Sequence, residues 1–214
     1  MFVRSEPKYM SKDVKDTIPW PKAADRLFES GDDWWHNACV GQHGVTWELY
    51  ATGYKDAADS LTERIFETRQ HADFLVYPIA FLYRHYLELR LKEIILTGQE
   101  LLDHRPDLEH VHRLDALWRS ARKILEAVWP GSPAEDLDAV ENCIRQFSNV
   151  DPQSMSFRYP ATKDGKPTIS NLEHINIRNL YEVMGRISSL LEGASMGISA
   201  YLDDKRSLDR DFYG

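Results

Sequence analysis

The sequence contains little cysteine and no long hydrophobic run. Only two of its 214 residues are cysteines, Cys39 and Cys143, and no CxxC spacing occurs, which argues against a disulfide scaffold or a zinc ribbon. No apolar run reaches the length of about 18 residues that a membrane-spanning helix needs. The opening residues, MFVRSEPKYMSKD, are too polar for a signal peptide. We therefore expect a cytoplasmic protein that does not associate with a membrane.

Basic residues are in the minority. The chain has 26 Lys and Arg against 34 Asp and Glu, which gives a formal net charge of −8. Broad binding to a nucleic-acid backbone needs clustered Lys and Arg, so the composition argues against that mode of binding, but not against a small local basic cleft. With 43% hydrophobic and 28% charged residues, the composition is that of a globular protein and not of a disordered one.

The motifs of several enzyme classes are missing. The sequence has no P-loop and no dinucleotide-binding fingerprint. His36 and His43 lie near Cys39, but without the pattern of a catalytic cysteine. Glu109 and His112 have the E-x-x-H spacing of di-iron bundles, yet the second such pair that this site needs does not occur. We expect neither a metal ion nor another cofactor.

From residue 54 onward, the apolar residues recur at helical spacing. The pattern predicts helices over 54–71, over about 75–102 and from near His112 to about Val128. Two capping-box sequences, SPAE at 132–135 and SNLE at 170–173, predict the starts of two more. No strand-like alternation interrupts them. The predicted fold class is all-α, an up-and-down bundle of about five helices.

Residues 1–53 lack this periodicity and are rich in tryptophan. They hold four of the six tryptophans of the chain: Trp20, Trp34, Trp35 and Trp47. Because each of these rings hides a large apolar area when it is buried, we predict an ordered, irregular N-terminal extension packed on the body. The predicted organisation is an extension over 1–53 and a helical bundle over 54–214. A partner-binding arm is the alternative interpretation of the extension.

A polar stripe lies on the most apolar predicted helix. Arg84, His85, Glu88 and Lys92 fall within about a third of the helical wheel. Because this helix is apolar nearly all round, it belongs at the centre of the bundle. We therefore predict that the stripe is enclosed, that Arg84 pairs with Glu88 at i,i+4 and that the other donors find partners from distant parts of the chain. A structural ion-pair network and an anion- or phosphate-binding cleft both remain open.

The loop SMSFRYP, residues 154–160, is the second unusual feature. It carries Ser156 and Arg158 between aromatic residues, and such loops fold back on the body of the protein. Arg158 has two interpretations here. It caps a helix C-terminus or pairs with a carboxylate such as Glu88, or else it adds a second guanidinium to a phosphate-binding cleft beside Arg84.

Two helical segments together resemble HEPN-like bacterial proteins. The strings YRHYLELRLKEIIL and HRLDALW are similar to the patterns R-H-x-x-E-L-x-L-K and H-x-L-x-x-L-W, and FRYP at 157–160 looks like a loop of uncharacterised relatives. The residues that carry the match are Arg84, His85, Glu88, Leu89, Leu91, Lys92, His112, Leu114, Leu117 and Trp118. The resemblance covers about residues 54–200, and it implies a helical bundle that forms a homodimer.

The resemblance also implies a function, because many HEPN proteins are metal-independent ribonucleases of toxin–antitoxin or phage-defence systems with an R-x4-6-H motif. In this sequence the string from Arg105 to His110 has that spacing, and it lies at a helix junction. The implied roles are catalysis by Arg84, His85 and His112, anion binding by Arg158, Lys92 and Ser156, and orientation by Glu88. The alternative is a non-catalytic dimeric binding module (an antitoxin, an immunity protein or a regulatory subunit), whose acidic surface suits a basic protein partner.

Overall fold

The computed structural model describes residues 20–41, 46–108, 112–170 and 172–213. Within these ranges the protein is all-helical, and no β-strand occurs, which confirms the predicted fold class. The helices are α1 (Trp47–Thr68), α2 (Ala72–Leu101), α3 (Leu114–Val128), α4 (Ala134–Val150) and α5 (Ile177–Tyr213). The chain divides into two compact units, Met1–Gln42 and His43–Gly214.

The first unit has little regular structure in its described part. A short 3-10 helix spans Trp34–His36. The Asn37 side chain ties a turn together, because its Oδ1 accepts from Gly31 N at 2.9 Å and its Nδ2 donates to Gly31 O at 2.7 Å. The rings of Trp20, Trp34 and Trp35 are largely exposed. Burial of these three rings does not support the packing of the extension on the body, which stays a prediction.

Helix α1 begins earlier than the sequence pattern predicts. Thr46 is its N-cap, and the Thr46 hydroxyl accepts a hydrogen bond from Leu49 N at 3.2 Å. Trp47 and the six residues after it are consequently helical, so the predicted boundary after residue 53 falls inside α1. Gly53 and the exposed aromatics of this first segment hide the helical period, although Ala51 is fully buried.

Helix α2 is the central element of the bundle. It packs against α1, α3 and α5. Ten consecutive residues of α2, 86–95, are buried, so buried side chains point in all directions around this helix. This arrangement confirms the prediction drawn from its all-round apolar pattern. Since α2 begins at Ala72 and not near residue 75, Pro78 lies in its second turn.

The other helices complete an up-and-down arrangement in which α3 packs on α4, and α5 packs on α2 and α1. Both predicted capping boxes are wrong. Pro133 is the N-cap of α4 and the cap has no side-chain hydrogen bond. The cap of α5 is Asn176, whose Oδ1 accepts from Asn179 N at 3.0 Å, because the chain stays non-helical up to that residue. No helix in the described ranges combines the length and the hydrophobicity that crossing a membrane requires.

Candidate functional site

The buried guanidinium of Arg84 joins three separate parts of the second unit. Its side chain is 0% exposed. From the middle of α2, Arg84 Nη2 donates to His112 O at 2.9 Å, just before α3, and Arg84 Nε donates to Asp151 O at 3.1 Å, just after α4. Arg84 Nη1 lies 3.4 Å from Glu88 Oε2 on the next turn, which confirms the predicted i,i+4 pair. The donors of Arg84 are thus directed at protein groups.

The Glu88 carboxylate is the second centre of this network. Its Oε1 accepts from Lys92 Nζ at 2.7 Å and contacts His112 Nδ1 at 2.8 Å. The side chains of Glu88 and Lys92 are 3% and 10% exposed, whereas that of His112 is 71% exposed. A buried carboxylate therefore holds the Nδ1 side of an imidazole that is open to solvent. We call Arg84, Glu88, Lys92, His112 and Asp151 the Glu88 cluster.

Burial and hydrogen bonding act on the Glu88 carboxyl in opposite directions. Burial by itself raises the pKa of Glu88, but the hydrogen bonds from Lys92 and His112 outweigh burial, and the pKa lies below its ordinary value of 4.5. Glu88 is therefore ionised at neutral pH. Because an ionised carboxylate only accepts hydrogen bonds, His112 Nδ1 must carry the proton of this contact. In the neutral ring, His112 Nε2 then has a free lone pair.

His85 lies beside the cluster on the same face of α2. Its ring meets that of Tyr54 edge to face at 4.4 Å and stacks on Phe81 at 5.8 Å between centroids. Burial lowers the pKa of His85 below its ordinary value of 6.5, and the nearby cations Lys92, Arg84 and Arg158 lower it further, against the opposing charge of Glu88. His85 is half-buried. Because its pKa is lowered, its ring is neutral at neutral pH.

Asp151 connects the Glu88 cluster to the loop that carries Arg158. Asp151 Oδ1 accepts from Met155 N at 2.6 Å and from Ser156 N at 2.9 Å, and Asp151 Oδ2 lies 3.4 Å from Arg84 Nε. Arg158 Nε donates to Ser154 O at 2.5 Å. This local bonding fixes the course of the loop. The Arg158 guanidinium is exposed, with its Cζ 5.6 Å from the centroid of the Phe81 ring.

The structure therefore brings most of the predicted site residues together, but it changes what two of them are placed to do. Arg84 and Lys92 are too buried, and too fully engaged by neighbouring groups, to reach a phosphate. They hold His112, Glu88 and the loop in place instead. Arg158 does not contact Glu88 as one interpretation had it, because its hydrogen bonds go to Ser154 and Met155 within its own loop.

Sequence reasoning missed Asp151, which is 1% exposed. The only available signal was the position of an acidic residue directly after a predicted helix, a place where acids are common. Ser156 contributes its backbone N–H to Asp151, and Thr168 Oγ1 donates to Ser156 O at 3.1 Å. The structure therefore shows Ser156 only as a part of the loop, bonded through its backbone groups.

Metal-ligating groups do not converge in the described part of the chain. No three His, Cys, Asp or Glu side chains in those ranges come together in a way that could hold a metal ion. Glu109 and His110 lie outside the described residues. The E-x-x-H pair of Glu109 with His112, and the string from Arg105 to His110, are therefore not described by the structure.

Several cavities lie between the helices or beside the Arg158 loop in the described part of the chain, and three of them bear on the function. Two of them, of 480 and 320 Å³, follow one another between α4 and α5, lined by side chains such as Phe147 and Leu180 in the larger and Leu137 and Leu190 in the smaller. The third, of 310 Å³, is formed by the Arg158 loop and α2.

No protein-family model, curated protein or solved structure matches the chain.

Proposed function

We propose that the protein is an RNA-directed, metal-independent ribonuclease in which His112 is the general base. The observation that carries this proposal is the solvent-exposed His112 ring, held at Nδ1 by the buried, ionised Glu88 carboxylate. A carboxylate in this position fixes the tautomer of the ring and stabilises the imidazolium that forms when Nε2 takes up a proton. The resemblance to HEPN-like proteins supports the same function from the sequence.

The proposed step is an attack within the RNA strand. His112 Nε2 accepts the proton of a ribose 2′-hydroxyl while the 2′-oxygen bonds to the adjacent phosphorus. The bond from phosphorus to the 5′-oxygen breaks, the 5′-oxygen takes a proton from solvent, and a 2′,3′-cyclic phosphate is left. The exposed Arg158 guanidinium neutralises the charge that develops on the phosphate oxygens. Arg84 and Lys92 act as positioning residues, and neutral His85 borders the reacting groups.

Cleavage of single-stranded RNA in the presence of EDTA tests the proposal. The purified wild type should cleave, and His112→Ala should lower the rate by about 10²- to 10⁴-fold, the usual contribution of a general base. Glu88→Gln should also lower the rate, because an amide neither stabilises the imidazolium nor imposes the same tautomer. Circular dichroism and thermal melting check that both variants fold.

The chain supplies a matched control. His36 is another exposed histidine whose Nδ1 contacts a carboxylate, Asp33 Oδ2, at 2.5 Å. His36→Ala removes the same side-chain atoms from a pair whose carboxylate is exposed, and it should leave the cleavage rate unchanged. Inactivity of the wild type on RNAs of varied sequence, or equal rates for wild type and His112→Ala, would contradict the proposal.

A role in defence or in a toxin–antitoxin pair, in the cytoplasm, belongs to the same proposal.

The second candidate is a non-catalytic homodimeric binding module. The groove formed by the two cavities between α4 and α5 favours it, because apolar side chains of both helices, such as Phe147 and Val183, face this groove. An inactive wild type that sediments as a dimer would support this candidate. A monomer at high concentration would count against it.

A further inference from the structure

We infer that the cavity between the Arg158 loop and α2 binds a nucleobase of single-stranded RNA, next to the phosphate that is cleaved. We call this cavity the Tyr159 pocket; its lining includes Tyr77, Phe157, Arg158, Tyr159, Pro160 and Ile169. The inference rests on the proposed function, since the pocket would position the substrate of the same site. It adds a base-binding subsite and a preference for unpaired RNA.

The lining of the Tyr159 pocket suits a flat aromatic ligand. Tyr77 and Tyr159 are 47% and 48% exposed, whereas Phe157 is buried at 7%, so two accessible rings stand beside an apolar wall. The volume of 310 Å³ lies at the lower end of the range for small-molecule sites, about 300–1,000 Å³. Stacking on aromatic rings, with a cation nearby, is how proteins hold unpaired bases.

Hydrogen bonds within the loop join the walls of the pocket to one another. Thr168 N donates to Pro160 O at 3.2 Å, and Thr168 Oγ1 lies within hydrogen-bond distance of both Ser156 O and Tyr159 O. Ala161 and Pro167 form an isolated β-bridge behind them. The two sides of this loop are therefore joined at the residues that line the cavity. A preformed pocket loses little conformational entropy when it binds.

Arg158 and Phe81 connect the pocket to the acid–base groups. The Arg158 Cζ lies 5.7 Å from the Tyr159 ring centroid and 5.6 Å from the Phe81 centroid. Phe81 in turn stacks on His85, which faces the Glu88 cluster. A base on Tyr159 therefore places its own phosphate at the exposed guanidinium, on the side of the loop that leads to His85.

Because the chain has a negative net charge, stacking has to supply most of the free energy of binding to RNA. At a formal net charge of −8, the protein gains little from long-range attraction to a polyanion. A pocket with one exposed guanidinium and two aromatic rings recognises a strand locally, at one phosphate and one base. A base in a duplex is paired and stacked on its neighbours, so it cannot enter.

Fluorescence anisotropy with a short, labelled oligodeoxythymidylate tests the pocket separately from cleavage, because DNA lacks the 2′-hydroxyl that the proposed step needs. Tyr159→Ala should raise the Kd roughly 5- to 150-fold, which is the alanine effect of about 1–3 kcal/mol for one stacked base. Tyr159→Phe, which keeps the ring, should bind like the wild type. Tyr77→Ala, on the other wall, should also weaken binding.

Tyr201→Ala is the matched control, since Tyr201 is also 48% exposed but lies far along α5, against Trp129. An abasic oligonucleotide of equal length should bind the wild type as weakly as the base-bearing strand binds Tyr159→Ala. Equal affinity for abasic and base-bearing strands, or an unchanged Kd in Tyr159→Ala, would overturn the inference. Base-dependent binding without RNA cleavage would uphold the pocket and refute the ribonuclease; cleavage with base-independent binding would do the reverse.

Discussion

Replacing Arg84 with methionine removes the charge at the centre of the Glu88 cluster and keeps an unbranched apolar chain in place of the arginine stem. In the wild type the guanidinium serves two carbonyl oxygens, His112 O and Asp151 O, and two carboxylates, Glu88 and Asp151. Glu88 keeps Lys92 and His112 as partners in the variant. The damage should therefore concentrate at Asp151, whose Oδ2 lies 3.4 Å from the Arg84 guanidinium.

The expected loss in the free energy of unfolding follows from burial. Removing one partner of a buried ion pair leaves an uncompensated charge, and this destabilises proteins by about 3–5 kcal/mol. For a chain of this size, about 2–4 °C of melting temperature is lost for each kcal/mol, so the Tm of Arg84→Met should fall by roughly 6–20 °C. Urea unfolding at neutral pH, with an unchanged m-value, measures the same loss at constant temperature.

A surface ion pair provides the comparison. Arg206, which is 54% exposed, pairs with Glu100 at 2.5 Å, and Arg206→Met should reduce the free energy of unfolding by about 0–1 kcal/mol. Amide hydrogen exchange adds a local readout, because Met155 N and Ser156 N donate to Asp151 Oδ1 and should exchange faster in Arg84→Met. A loss below about 1 kcal/mol for Arg84→Met would refute the reasoning, since it would give the buried cluster the value of an exposed pair.

The sequence was sufficient for the central helix and for one contact of the site. Helix α2 is predictable because a segment that is apolar in every direction has only the bundle interior to occupy. The pair of Arg84 with Glu88 is predictable because i,i+4 residues on one helix meet wherever that helix lies. Both predictions depend on local geometry alone. The predicted helix starts were wrong where Thr46 caps α1 several residues before the start at residue 54 that the apolar period predicts, and where Asn176 caps α5 after the SNLE string at 170–173.

The rest of the site was out of reach because it depends on backbone groups from loops. Arg84 donates to the carbonyl oxygens of His112 and Asp151, and every residue has such an oxygen, so no side-chain pattern marks these two. Contacts that link α2 to residues far along the chain need the packing of α3 and α4 to be known first. The exposed position of His112 beside the buried Glu88 carboxylate could not be predicted for the same reason, because it depends on how α3 packs against α2.

The remaining predictions concern pH and close packing. The pKa values of Glu88 and His85 lie below their ordinary values in the folded protein, so the stability they contribute is present above the unfolded pKa values and is lost as pH falls through the folded ones. The free energy of unfolding of the wild type, minus that of Glu88→Gln, should therefore be larger at neutral pH than below the ordinary Glu88 value of 4.5; an equal difference at both pH values in urea unfolding would contradict it. Gly98→Ala should be destabilising by about 1–3 kcal/mol, because a Cβ at Gly98 would lie 2.1 Å from Ile124 Cγ2 on α3, and a branched side chain anchored in the helix interface has no free space to turn into. Gly185→Ala is the matched substitution on α5, where a Cβ meets nothing within 4 Å, and it should raise stability by up to about 1 kcal/mol through helix propensity alone. If both substitutions changed the melting temperature in the same direction, helix propensity would dominate at both glycines, and the close contact between α2 and α3 at Gly98 would have no energetic consequence.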